Sequence, residues 1–277
     1  LKVRDYLGYL YEEMKDYPKA VEAYSFNLKL EPSYFEGHLH LGVLQYRLKQ
    51  YGEAAQHLRE ASRLNPKQPE AHIVLGLSYF QTEQYEPSLQ SFLEGIRHNP
   101  DNPDLHFNAG TVYDKLNRFE DVVRSMEAAL KLDPHHADAL NYLGYSYAER
   151  GVKIEEAISL TKQAVALRPT NGYYVDSLGW AFFKKGLLAE ALAEIKRAVS
   201  LVGDDPVIYE HLGEIYLKQQ QVSEGREALV HSLELDPSNN KLMQRFRELG
   251  LGDPTKEDRI RQAMQRVSDQ KPSPSNQ

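Results

Sequence analysis

Three histidines, His38, His72 and His106, stand 34 residues apart. Equal spacing of imidazoles raises the question of a row of metal ligands. Packed helices lie about 8–10 Å apart, and zinc takes nitrogen ligands at about 2 Å. Facing rotamers bring two such rings together but not three, so the ladder is expected to pack rather than to ligate. His135 and His136 sit in a turn with no third ligand beside them. Glu210, His211 and Glu214 share one helix face and are expected to form a solvated charged face. Ser78 in "GLSYF" and Ser146 in "GYSYA" follow glycines, as a nucleophile elbow does. That elbow requires a strand-to-helix turn, and both serines fall inside helical periodicity. There is no phosphate-cradling glycine loop and no His-Glu-x-x-His. With no cysteine among 277 residues, disulfides, thiolate zinc sites and cysteine nucleophiles are excluded. No catalytic constellation, metal site or cofactor is expected.

The net charge of −7 argues against nucleic acid, which needs a basic footprint. No apolar run is long enough to span a bilayer. The chain opens "LKVRDYLGYLYEE" without an initiator methionine or a signal peptide. This predicts a processed or truncated start, with targeting information outside the sequence.

The elements that would carry any site follow a strict register. Glycines recur at Gly8, Gly42, Gly76, Gly110, Gly144, Gly179 and Gly213, spaced by 34 except for one step of 35. Pro32, Pro66, Pro100, Pro134, Pro169 and Pro237 keep the same beat; the sixth unit instead ends "VGDDP" at Pro206. A small residue forms another column at Ala20, Ala54, Ser88, Ala157, Ala191 and Gly225, with Val122 the exception. Three residues after the glycines stand Tyr11, Tyr79, Tyr113, Tyr147, Phe182 and Tyr216, with Gln45 the exception. Within each unit apolar residues recur at helical spacing, pause at a turn, and recur again. In the first unit Pro18 suits the start of the second helix, and Pro32 blocks its continuation. A glycine inside a helix costs roughly 0.5–1 kcal/mol against alanine. Seven are tolerable only where they let paired helices approach closely.

This register resembles the tetratricopeptide repeat and covers residues 1–239. The resemblance implies an all-α, right-handed superhelical solenoid of seven helix pairs, at 1–34, 35–68, 69–102, 103–136, 137–171, 172–205 and 206–239. After it, "KLMQRFRELG" sets Leu242, Phe246 and Leu249 on one face, with Gly250 closing the helix. "DPTKEDRIRQAMQRV" offers Asp253 as N-cap, Pro254 at the first position, and a stripe of Ile260, Met264 and Val267. These C-terminal capping helices, at 240–269, are expected to cover the last repeat. Residues 270–277 read as a polar, disordered tail.

By the same resemblance, the first helices line a concave groove with repeat positions 2, 5, 6, 9, 12 and 13. Acidic residues exceed basic ones there, among them Asp5, Glu12, Glu36 and Glu70, and aromatics including Tyr6, Tyr9 and Tyr46 are interspersed. The carboxylate clamp of chaperone-type members is absent, because position 5 carries no lysine. The asparagine ladder of sugar-transferase members is absent too, with only Asn108 at position 6. The partner-binding groove is expected to centre on Phe107, Asn108, Thr111, Asn141, Tyr142, Tyr145, Asp176, Ser177, Trp180 and Phe183. Trp180, the single tryptophan, is either mortar between repeats or a binding anchor; partial exposure is expected, with Asp176 free to attract a basic partner residue. The implied function is a non-enzymatic scaffold or adaptor holding a protein or peptide segment with apolar, aromatic and basic residues. The alternative is a structural or assembly protein whose partners dock on the convex face or the cap. A monomer is expected. "LNYLGYSYAERG", the one-residue insertion in "GVKIEEA", and "DSLGWAFFKKG" look like a set of bacterial tetratricopeptide proteins, some of them outer-membrane lipoproteins. That likeness favours the cell envelope or periplasm over the cytoplasm.

Overall fold

The computed structural model describes residues 1–252 and 254–270. The described residues form helices joined by short turns and contain no strand. They divide into two compact units, Leu1–Ala139 and Leu140–Gln277. The first holds α1 (Lys2–Glu13), α2 (Tyr17–Leu30), α3 (Phe35–Arg47), α4 (Tyr51–Leu64), α5 (Pro69–Gln81), α6 (Tyr85–His98), α7 (Pro103–Lys115), α8 (Phe119–Leu132) and the start of α9 (Ala137–Arg150). The second holds the rest of α9, then α10 (Ile154–Leu167), α11 (Gly172–Lys185), α12 (Leu188–Val202), α13 (Pro206–Lys218), α14 (Val222–Leu235), α15 (Asn240–Glu248) and α16 (Pro254–Gln270).

The glycine column is where the helices of a pair touch. A Cβ on Gly76 would lie 2.5 Å from the Phe92 ring, and one on Gly213 would lie 2.5 Å from Leu229. The same large position faces the glycine in other pairs, as Tyr24 faces Gly8 and Ile195 faces Gly179. Removing the side chain from one helix therefore makes room for a large one on its partner. The small-residue column packs beside it: Ala20, Ala54, Val122, Ala157 and Ala191 are fully buried. Ser88 fits this column because its hydroxyl donates to the carbonyl of Gly76 at 2.7 Å.

The turn within six of the helix pairs has one geometry. Lys15, Lys49, Glu83, Asn117, Gly186 and Gln220 all have φ between 57° and 86°. The next amide donates back to the aromatic column: Asp16 N to Tyr11 O at 2.8 Å, Gln84 N to Tyr79 O at 2.9 Å, and Gln221 N to Tyr216 O at 2.9 Å. This is a Schellman closure. It explains why the turn holds its shape although only one of those six positions is glycine. In the unit with the inserted residue, Gly151 takes the left-handed position and Lys153 adds a second, with φ 45°.

In the second unit, α14, α15 and α16 share a core of Leu229, Val230, Leu233, Leu242, Met243, Phe246, Leu251 and Ile260. Two expected stripes need correction. Leu249 is 45% exposed, because it falls in the closing turn of α15 before Gly250, and Met243 takes its place in the core. Met264 and Val267 are exposed as well; Ile260 and Ala263 form the buried face of α16. Arg259 pins that helix, donating to Glu234 at 2.8 and 2.9 Å and to Glu227 at 2.9 Å. The expected N-cap Asp253 lies outside the described residues, as does the predicted tail beyond Gln270.

Candidate partner-binding groove

The histidine ladder hydrogen-bonds the turns between pairs. The Nε2 of His38, His72 and His106 lies 2.9, 2.9 and 2.8 Å from the carbonyls of Pro32, Pro66 and Pro100. Each ring donates to the turn six residues before it, satisfying a carbonyl where the helix cannot continue. This is a more specific role than packing. The Nδ1 of His38 in turn faces the Nδ1 of His57 at 3.1 Å. Burial, reinforced by His38, holds the His57 imidazole below its ordinary pKa. Burial does the same for His72.

In the first unit, Phe107 stacks at a tilt on His136 with centroids 5.1 Å apart. The side chains of Asn108 and Thr111 bond to their own helix, Asn108 to Asp104 O at 2.7 Å and Thr111 to Asn108 O at 2.8 Å. His136 is more than a turn residue. Its Nδ1 accepts from the amide of Ala139 at 3.2 Å, so it caps α9, and its Nε2 lies 3.2 Å from Asp104. A histidine cap carries no sequence signature comparable to Ser, Thr, Asn or Asp.

In the second unit, α9, α11 and α13 bring Tyr145, Asp176, Trp180 and Phe183 around His211. Trp180 is only 8% exposed, which corrects the expectation of partial exposure. Its indole stacks on the His211 ring at 4.0 Å and on Phe183 at 4.8 Å. Its Nε1 donates to Glu149 at 2.7 Å, and the Lys184 ammonium lies 4.8 Å above the ring. Tyr145 approaches His211 with centroids 6.4 Å apart. Asp176 is not free for a partner either. It is buried and takes the Nδ1 of His211 at 2.8 and 3.1 Å. A buried carboxyl group is costly without such a donor. Ser177 is buried and bonds to Tyr173 O at 3.0 Å. Asn141 keeps a buried Oδ1 without a donor, and Tyr142 is half-buried. His211 is therefore interior and not part of a solvated face; Glu210 accepts from Asn239 and Glu214 holds Arg245 with two bonds. Repeat position alone did not reveal this, because here His211, at position 6 of one repeat, covers Trp180, at position 9 of the repeat before it.

The accessible part of the groove lies elsewhere. In the first unit, residues of α1, α3 and α5 line an open cavity of about 440 Å³. Its walls include Tyr6 and Tyr9, stacked at 6.2 Å and 63% and 51% exposed. Asp5, Glu12, Glu36 and Glu70 surround it, against Lys2 and His40. Glu12 is engaged by the Tyr24 hydroxyl at 2.7 Å and by Arg47 at 2.6 Å. Asp5 pairs with His40 at 2.9 Å through one oxygen, while its Oδ1 is buried without a donor. The Asp5 carboxylate holds the His40 imidazole above its ordinary pKa. Burial pushes the Tyr34 hydroxyl on the cavity wall up to about 12. In the second unit, Trp180, Phe183, Lys184, Lys218, Glu214 and Arg245 are among the residues lining an open pocket of about 700 Å³.

Antiparallel helix pairs, a glycine contact within each pair, and a proline turn between pairs define a helical-repeat protein. Family models agree on which. TPR repeat models match residues 46–82 and 76–117, and tetratricopeptide repeat models match 107–172 and 207–239. Together these cover more than half of the chain, and the protein belongs to the tetratricopeptide repeat family. The TPR repeat-containing protein PA4667 of Pseudomonas aeruginosa is 38% identical over 78 residues, 28% of this chain. The match spans only 13% of that relative's length. A tetratricopeptide repeat protein from Parabacteroides merdae superposes with a TM-score of 0.69 at 16% identity, over 88% of this chain and 96% of that one. One chain of the APC/C hetero-tetramer Cut9–Hcn1 superposes at 0.67 and 15% identity, over 89% of this chain and 48% of that one. YrrB, a TPR protein with an unusual peptide-binding site, gives 0.55 at 19% identity, over 73% and 99%. At these identities the likenesses show the fold alone. Among the described residues no helix is long and apolar enough to cross a membrane.

Proposed function

We propose that the protein is a non-enzymatic scaffold or adaptor that holds a segment of a partner protein on the groove face of its first helices. The observation that carries this reading is the cavity of the first unit. There Tyr6, Tyr9, Glu36 and Glu70 stay exposed after the repeats have packed. Elsewhere many groove positions are absorbed by contacts between repeats, as at Asp176 and Trp180. Exposed tyrosines supply contact area at low entropic cost, and the acidic balance suits a basic, partly apolar segment. The peptide-binding site of YrrB supports the mode by analogy of fold.

The alternative, docking on the cap, rests on Met264 and Val267, which are exposed side by side on α16. Cross-linking capture from the cell of origin separates the two. The wild-type chain is compared with Glu36→Lys/Glu70→Lys and with Met264→Asp/Val267→Asp. Loss of the captured protein in the first variant alone is expected. Loss in the second alone would transfer the function to the cap.

A further inference from the structure

We propose that the cavity between α1, α3 and α5 is a receptor for an arginine side chain of the partner segment. The inference rests on the groove reading above and gives that groove its chemistry. Four carboxylates line the cavity, and Lys2 and His40 do not balance them. Among the described residues the side chains of Asp5 and Glu12 engage His40, Tyr24 and Arg47. Glu36 and Glu70 have no ionic partner among the described residues. Asp5 is held on His40 through Oδ2, with its Oδ1 sealed from solvent, and adds negative charge to the wall. The exposed carboxylates of Glu36 and Glu70 are the acceptors open to an incoming N–H.

The aromatic wall selects the donor. Tyr6 and Tyr9 stack with an interplanar angle of 29° and leave much of their surface open. A guanidinium lies flat on such rings and still directs its edge N–H groups at carboxylates. It offers five donors in a planar fork, which several acceptors around one cavity can share. An ammonium is a more strongly hydrated point charge and gains less from the rings. The cavity volume of about 440 Å³ leaves room beside the guanidinium for the stem and a neighbouring apolar residue.

The probe is a short fluorescein-labelled peptide alternating leucine and arginine, read by fluorescence anisotropy. Its counterpart has citrulline, which keeps the shape and loses the charge, and a third peptide has lysine. The arginine peptide is expected to bind at least about tenfold more tightly than either. Tyr6→Ala/Tyr9→Ala and Glu36→Gln/Glu70→Gln are each expected to weaken it by about tenfold or more, the scale of a lost anchor. These side chains are exposed, so the variants should keep the wild-type circular dichroism. Glu86→Gln/Glu127→Gln removes the same charge from α6 and α8, away from the cavity, and should leave binding unchanged. Equal binding of the citrulline or lysine peptide would overturn the assignment. So would equal losses in the Glu86/Glu127 control, which would reduce the effect to net charge. Partner capture that persists undiminished in Tyr6→Ala/Tyr9→Ala would sink the arginine receptor while leaving the scaffold reading standing.

Discussion

Replacing Trp180 tests whether the tryptophan holds repeats together. The side chain is 8% exposed, stacks on His211 and Phe183, and bonds to Glu149. It therefore touches α9 and α13 from α11. Truncating a buried tryptophan to alanine costs roughly 3–5 kcal/mol. The cost should fall in the upper part of that range, because the change also opens the Asp176–His211 pair to water. Trp180→Phe separates the contributions. It retains most of the apolar contact and loses the Nε1 bond, whose net worth to a charged acceptor is about 1.5–3 kcal/mol. The Glu149 side chain is 43% exposed and is rehydrated when the bond goes, so a loss near about 1 kcal/mol is expected. Urea unfolding followed by circular dichroism measures both variants. Repeat arrays unfold with imperfect cooperativity, so amide exchange must locate the damage. Protection should fall in α11 and α13. The imidazole N–H of His211, held by Asp176, should exchange slowly in the wild type and quickly in Trp180→Ala. In the wild-type protein iodide should quench the single tryptophan poorly. A Trp180→Ala variant within about 1 kcal/mol of wild type, or an indole freely quenched by iodide, would refute the mortar role.

Other outcomes follow from the same geometry. Gly76→Ala should destabilise more than Gly110→Ala, by about 1 kcal/mol or more. A Cβ on Gly76 meets the stiff ring of Phe92, whereas one on Gly110 meets the mobile Cε of Met126; paired urea titrations decide. Glu83→Gly should raise stability by up to about 1 kcal/mol, because a non-glycine residue at φ 58° bears left-handed strain; unchanged unfolding would deny that strain. His72 is buried with its pKa held down by burial, so the unfolded chain binds its proton more readily. Stability should then fall as pH drops below about 6.5, and His72→Gln should flatten that dependence, measured by urea midpoints. For His40 the sign is opposite. Asp5 raises its pKa against partial desolvation, with smaller help from Glu12 and Glu70. Its contribution is present below about 6.5 and is lost as pH rises through the raised folded value, which NMR titration of His40 in wild type and Asp5→Asn should show.

The fold was legible because its causes are periodic. A glycine that must meet Phe92 or Leu229, a proline that ends a helix, and a tyrosine whose carbonyl closes a turn each recur at the same offset. The site was less legible, because it depends on which residue of one repeat lies over which residue of the next. The Asp–His pairs show this. Asp5 and His40 are 35 residues apart, and so are Asp176 and His211. In register terms both join position 5 of one repeat to position 6 of the following one. Both set an imidazole Nδ1 on a carboxylate oxygen, at 2.9 and 2.8 Å. What differs is position 9 of the first repeat. There Tyr9 turns to stack on Tyr6 and leaves the His40 side chain 40% exposed at a cavity. Trp180 is larger, lies flat on His211, and leaves that side chain 6% exposed. One pair is thus sealed into the interior of its unit, and the other borders an open acidic cavity. The sequence holds the pairing as a spacing of 35, but the choice between core and site depends on how a single aromatic ring lies, which no spacing records. A tryptophan at a groove position is therefore weaker evidence of a binding site than a tyrosine pair beside an unsealed carboxylate.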